Sequence, residues 1–164
     1  MNANTTLLVT SIVGTGLVAG MLYGWAVSVI PGTRRVGDRT YVETMQDINR
    51  AIINPAFIIP FMGIPLVLGA ASIMHFRTGD TRRAWLLAGA TGTYLVGVLG
   101  VTVGGNIPLN DALDAFDLPA ARDGDLADRR RTYERPWNRF HGLRTAAGAV
   151  SFGLAAAAAM VAAD

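Results

Sequence analysis

Three side chains near the end of the chain have types and spacing that could do chemistry together. Trp137, His141 and Arg144 stand at i, i+4 and i+7 within "RPWNRFHGLRTAAG" (Arg135 to Gly148), which on a helix is one face. A histidine can accept a proton near neutral pH, a guanidinium can hold an oxyanion, and an indole offers a flat apolar wall. Asn138 lies between them. Upstream, "NIPLN" places Asn106 and Asn110 one helical turn apart, and "MQDINRAIINPAF" carries Asn49 and Asn54. Carboxamides of this kind orient hydroxyl and carbonyl groups. The set suits an anionic or enolizable aromatic ligand. It does not suit phosphoryl transfer, because there is no Gly-rich phosphate loop and no carboxylate pair for Mg²⁺.

The elements that must position these residues follow from the charge pattern. Of 164 residues, 51% are apolar, yet 14 are basic and 12 acidic. The charges are segregated: 1–33, 51–76, 84–110 and 145–163 contain none. Each window can supply the ~20 apolar residues that cross ~30 Å of hydrocarbon. The expected fold is all-α, a membrane four-helix bundle forming a single domain over residues 1–164, with spans at about 6–30, 55–75, 84–105 and 144–163. The first window has no basic n-region and too long an apolar core for a signal peptide.

Gly16, Gly20 and Gly24 give the first span a face of bare backbone, a pattern that favours close packing in lipid. Pro31-Gly32 is expected to close that span. Residues 38–53 read as a short amphipathic helix in the first loop. Pro55 suits the first turn of span two, and Pro60 and Pro65 inside it are tolerable where neighbours satisfy the freed carbonyls. The polar stretch 106–143 is expected to form short helices in the third loop, split by Pro119 and "RDGD", with Pro136 as the first residue of the fourth span.

Cysteine is absent, so disulfides, thiolate metal sites and iron–sulfur clusters are excluded. The basic residues are all Arg, and a net charge of +2 spread over short loops gives no case for nucleic-acid binding. No metal site is expected either. His75 ends span two and His141 begins span four, so topology puts them at opposite faces of the bilayer, and the spans hold no carboxylate. His75 is read as an interfacial polar residue. Nothing in the sequence defines an oligomeric state.

Loops one and three share one side and carry ten Arg before Arg144, against three in loop two. The positive-inside rule therefore places loops one and three in the cytoplasm, with the protein in the cell membrane. On that side converge Tyr23 and Trp25 from span one, Asn49 and Asn54 before span two, Asn106 and Asn110 after span three, and Trp137, Asn138, His141 and Arg144 of span four. Two readings remain open for the Trp/His/Arg group: an interfacial anchor with a snorkelling Arg, or the wall of a pocket. Asn54 and Asn110 can likewise be helix caps or pocket residues.

At these residues the chain resembles the anthrone-oxygenase-like family of small four-span membrane proteins. The resemblance is carried over most of the length by Met45 to Phe57, Asn106 to Asn110, Trp137 and "HGLRT" (His141 to Thr145). It implies oxidation of an anthrone-type hydrophobic aromatic with molecular oxygen and without a dedicated cofactor. Arg144, His141 and Asn106 would be catalytic; Asn54, Asn110, Trp137, Asn138, Asn49, Trp25 and Tyr23 would bind substrate. This reading predicts an enclosed apolar cavity beside Asn106, His141 and Arg144. The alternative is a non-enzymatic lipid- or quinone-binding protein, or an accessory subunit of a membrane complex. It predicts no enclosed cavity, with Arg144 paired with Glu134 or Asp111, or reaching lipid phosphate.

Overall fold

The computed structural model of the chain describes residues 3–161, whose regular structure is entirely helical. Four helices are long and apolar enough to span a bilayer: α1 (Ala3–Thr33), α3 (Pro55–Arg77), α4 (Thr81–Asp114) and α5 (Asp123–Met160). The amphipathic α2 (Asp38–Ala51) links the first two spans. Residues 162–163 of the expected fourth span lie outside the described residues. The spans alternate in direction, and each packs on two neighbours in the ring α1, α3, α4, α5. Their outer surface is apolar: Leu66 and Val96 are 74% and 75% exposed, as expected of side chains that face lipid rather than water.

Inside the ring, Val18, Leu22, Phe61, Ile64, Leu68, Leu87, Tyr94, Val98 and Ala155 form the core. Lipid tails are as apolar as these side chains, so close backbone approach and internal hydrogen bonds must do much of the work. Gly97 and Gly148 serve the first purpose. A Cβ on Gly97 would collide with the Ala147 methyl of α5, and Gly148 packs on Leu22 and Ala19 of α1. For the second, Ser72 donates to Ala84 O and Ser151 to Ala90 O, both at 2.9 Å. Pro65 deprives Phe61 O of its helical partner, and the Tyr94 hydroxyl of α4 donates to that carbonyl at 2.9 Å. The proline is thus tolerated as expected, by a neighbour's donor.

Several boundaries differ from expectation. α1 runs on through Pro31 to Thr33. The stretch 106–143 is helical, but its helices are continuous with the spans, leaving only residues 115–122 between α4 and α5. Pro136 does not start the last helix; it lies inside α5. The carbonyl it frees belongs to Thr132, which is exposed, so water can satisfy it and the helix is not broken. The first-loop helix α2 ties this end together. Gln46 Nε2 donates to Leu113 O and Phe116 O at 2.8 and 3.0 Å, Arg39 donates to Leu118 O and Ala121 O, and Arg50 pairs with Asp114 at 2.6 Å. The Gln46 and Arg39 bonds go to backbone carbonyls at the end of α4 and in the connection that follows it, where helical partners run out.

Candidate functional site

The face of α5 that carries Trp137, His141 and Arg144 begins further back than the sequence reading placed it. Tyr133, Trp137 and His141 recur every four residues and stack in a column. The Tyr133 and Trp137 ring centroids are 6.2 Å apart, and Trp137 and His141 lie 4.9 Å apart and nearly parallel at 7°. Tyr41 of α2 meets Tyr133 edge-on at 6.4 Å. Arginines close both ends of the column: Arg130 lies 4.5 Å over the Tyr41 ring, and Arg144 5.2 Å over the Trp137 ring. Burial, and next the nearby Glu134, raise the Tyr41 hydroxyl well above the usual tyrosine range. The phenol stays neutral, and the Arg130 contact is a cation–π interaction.

Hydrogen bonds fix the lower end. Arg144 Nε donates to His141 Nδ1 at 3.2 Å, with Nη2 3.1 Å from the same atom, and Nη1 donates to Thr102 Oγ1 at 3.3 Å. A guanidinium has no acceptor, so His141 Nδ1 must present its lone pair. The ring proton is then on Nε2, which lies 3.0 Å from Leu22 O of α1 and donates to it. Asn106 is 1% exposed and its Nδ2 donates to Trp137 O at 3.3 Å. At the upper end, Asn49 Nδ2 donates to the Tyr133 hydroxyl, which donates to Asn110 Oδ1, each at 3.0 Å. Asn110 Oδ1 also accepts from Trp137 Nε1 at 2.8 Å.

Local backbone departures bring these side chains together. α1 contains a π-helical turn at Trp25–Val29, closed by Ile30 N to Trp25 O; α4 contains two, Tyr94–Gly100 and Thr102–Asn106, the latter closed by Ile107 N to Thr102 O. A π turn adds a residue to the helix and re-aims the side chains beyond it, and such turns are frequent at functional sites. The stretch 96–105 is made almost wholly of glycine and β-branched residues, which hold a regular helix weakly. Gly105 also leaves room for the Phe140 ring, which a Cβ would strike.

Arg144 is the anomaly. Its Cα lies about 25 Å along α5 from Val161, from 17 residues at 1.5 Å each. That is inside a ~30 Å hydrocarbon layer bounded by Arg77, Arg82 and Arg83 at the loop-two end. The residue is half-buried. Among the described residues no carboxylate pairs with it: Glu134 is engaged by Arg130 at 2.8 Å and Arg34 at 3.8 Å. The partners of Arg144 are an imidazole, a hydroxyl and an indole face, all neutral.

The expected residues divide into three groups. Trp25, Asn106, Asn110, Trp137, His141 and Arg144 meet in one cluster, with Asn49 joined through Tyr133. Trp25 contacts Trp137 and His141, with centroids 6.0 and 6.4 Å away. Asn110 does not cap a helix, being inside the α4 turn Ile107–Asp114. Asn54 is the cap: it is exposed, and its Oδ1 accepts from Phe57 N at 3.2 Å. Tyr23 is 63% exposed on the outside of α1, and Asn138 is half-buried but shares none of the cluster's hydrogen bonds. Tyr133, Thr102 and the Leu22 carbonyl were not anticipated. Helical spacing back from Trp137 and Asn106 points to the first two; no sequence signal marks a backbone carbonyl. The group is a packed, hydrogen-bonded cluster where an enclosed cavity was expected. A groove of about 630 Å³ opens elsewhere, among Phe116, Ala121, Asp125 and Arg129.

A four-span membrane bundle with a buried Asn/Trp/His/Arg cluster at one end describes a class of small integral membrane proteins. The chain belongs to the anthrone oxygenase family, whose sequence profile matches residues 53–154, more than half of its length. The matched region holds Asn106, Asn110, Tyr133, Trp137, His141 and Arg144; Trp25 and Asn49 precede it. Comparison with curated proteins and with solved structures gives no match.

Proposed function

We propose that the protein oxidises a hydrophobic, enolizable aromatic of the anthrone type with molecular oxygen, and that it needs no dedicated cofactor to do so. The observation that carries this reading is Arg144, a guanidinium held in a span with only neutral partners. An intramembrane charge costs about 2.5–3.5 kcal/mol at a span's centre on insertion scales, and such residues mark functional sites by default. A ligand that becomes an anion supplies the missing counter-charge.

His141 Nδ1 is the base. In the structure Arg144 covers its lone pair. When the guanidinium turns to the ligand oxygen, Nδ1 is free to take the benzylic proton, Arg144 faces the enolate oxygen that forms, and Asn106 borders the ligand beside them. The electron-rich enolate passes an electron to oxygen. The carbon radical and superoxide combine, forming a C–O bond, and the peroxide takes up a proton. Loss of the second benzylic hydrogen with cleavage of the O–O bond yields the carbonyl and water. The balance is anthrone plus O₂ to anthraquinone plus H₂O. Trp137 and Trp25 provide flat surfaces against the rings. The Arg-rich loops put this end of the bundle on the cytoplasmic side of the cell membrane.

The test is oxygen uptake by the purified protein with emodin anthrone, measured above the spontaneous rate. The wild type is expected to accelerate uptake. Arg144→Ala should lose at least about 100-fold, the scale for removing an oxyanion donor, and His141→Ala about 100-fold or more, the scale for general-base catalysis. Equal rates in all three proteins would remove both residues from the reaction.

A further inference from the structure

Two polar atoms of the cluster take no part in its hydrogen-bond network. Trp25 Nε1 and Asn106 Oδ1 are both buried and have no partner. Neither is an accident of side-chain orientation. The Asn106 amide must turn its nitrogen to Trp137 O, because a carbonyl can only accept, so its oxygen is left over. The Trp25 ring stands against the rings of Trp137 and His141, on the first residue of the π turn in α1. One leftover is a donor and the other an acceptor. Both flank Trp137, one at its ring and one at its carbonyl. Buried polar groups without partners are rare and costly, and a site left with them favours a ligand that satisfies them.

We propose that Trp25 and Asn106 determine specificity by reading a neutral hydroxyl on the aromatic ligand: Asn106 Oδ1 accepts its proton, and Trp25 Nε1 donates to its oxygen. This rests on the reading of the cluster as an aromatic-ligand site and adds a requirement to it. The ring system carries a hydroxyl distinct from the oxygen that Arg144 holds. Arg144 serves the charge that develops during reaction, whereas this pair serves a group that stays neutral. An unsubstituted ring would leave both atoms unpaired and bind more weakly.

Binding of non-reacting analogues tests this apart from turnover. The protein in lipid nanodiscs is titrated with anthraquinone, 2-hydroxyanthraquinone and 2-methoxyanthraquinone, at a pH where the hydroxyl is protonated. Tryptophan fluorescence quenching is the readout, with Trp85 and Trp137 remaining as reporters in Trp25→Phe. The wild type is expected to bind the hydroxy compound at least about tenfold more tightly than either other, since a site built to bond a hydroxyl rejects analogues lacking it. Asn106→Leu should abolish the preference of hydroxy over methoxy. Trp25→Phe should weaken both substituted ligands more than it weakens anthraquinone, which gives an independent result if Asn106→Leu does not fold. Equal wild-type affinity for the hydroxy and unsubstituted compounds overturns the proposal, as does a uniform loss of all three ligands in both variants. If the wild type binds none of the three, the aromatic-ligand reading itself fails, and the proposal with it.

Discussion

Each end of the bundle holds a buried histidine next to an arginine, and the two pairs are built on opposite principles. At the loop-two end, Arg83 is saturated. It pairs with Asp80, donates to Ala158 O at 2.8 Å and donates to Val161 O at 2.7 Å. Asp80 also caps α4 by accepting from Arg83 N, and its Oδ2 lies 3.5 Å from His75 Nδ1. Charge is matched within the chain, and the arginine fastens the last turn of α5 to the start of α4. His75, expected as an interfacial polar residue, is 4% exposed at this end of the span and lies beside Asp80. At the other end Arg144 has no carboxylate. A charge neutralised by its own fold holds structure together; under the proposed function, a charge left with neutral partners serves a ligand.

Exchanging the two arginines for alanine breaks this comparison most directly. Arg144→Ala is expected to reduce anthrone oxidation at least about 100-fold. Its melting temperature should fall little, since it removes an uncompensated charge from an apolar setting. Arg83→Ala should do the reverse: strand Asp80 largely buried, cost about 3 kcal/mol of stability in the way a broken buried pair does, and leave the rate per folded molecule unchanged. Thermal melting and oxygen uptake on both variants decide it. A stability loss at Arg144 equal to that at Arg83 would make the two ends structural alike.

The contrast also marks what could be read in the sequence. The four spans were legible because charge-free windows of that length have one physical use, and the shared face of Trp137, His141 and Arg144 was legible from helical spacing. The partners were not. Whether Arg144 would meet Glu134, Asp111 or neither depended on whether one helix ran through Pro136: in the continuous α5, Glu134 lies ten residues, about 15 Å, from Arg144, and is engaged by Arg130 and Arg34. Pro136 looked like a helix start because a proline usually is one at such a boundary, but the carbonyl it frees is exposed. The π turns of α4 that lead to Asn106 leave only a diffuse trace, the glycine- and valine-rich run 96–105, and the one that begins at Trp25 leaves none. Asn54 and Asn110 show the limit plainly. The same residue type within two residues of a proline caps a helix in one case and joins the Tyr133 and Trp137 side chains in the other.

A third test concerns how the spans set the geometry of the site. Gly97 lies against Ala147 one turn beyond Arg144, in the seam between α4 and α5. Gly97→Ala forces the two helices apart or strains them, at a cost of about 1–3 kcal/mol for overpacking. Because Thr102 and Asn106 follow on the same helix, the Thr102 contact to Arg144 should loosen and the oxidation rate should drop with the stability. Ala147→Gly in the same chain should restore both. Gly20, where an added methyl would meet nothing within 4 Å, should accept alanine with no change in rate, and assays of the three variants side by side separate packing from surface effects.

The smallest expected effect lies at the upper end of the aromatic column. Tyr133→Phe keeps the ring that stacks on Trp137 and removes only the hydroxyl between Asn49 and Asn110. Asn110 Oδ1 retains the bond from Trp137 Nε1, and Asn49 is half-buried, so water can reach its amide. The loss should therefore be about 1 kcal/mol, the net value of one ordinary hydrogen bond. Trp137 and its stack on His141 remain held from below by Asn106 and from the side by Asn110, so the oxidation rate should change by less than about threefold, within that same energy. A drop as large as that of Arg144→Ala would mean that the column transmits its order to His141 through the Tyr133 hydroxyl. The division between a reacting lower end and a supporting upper end would then have to be redrawn.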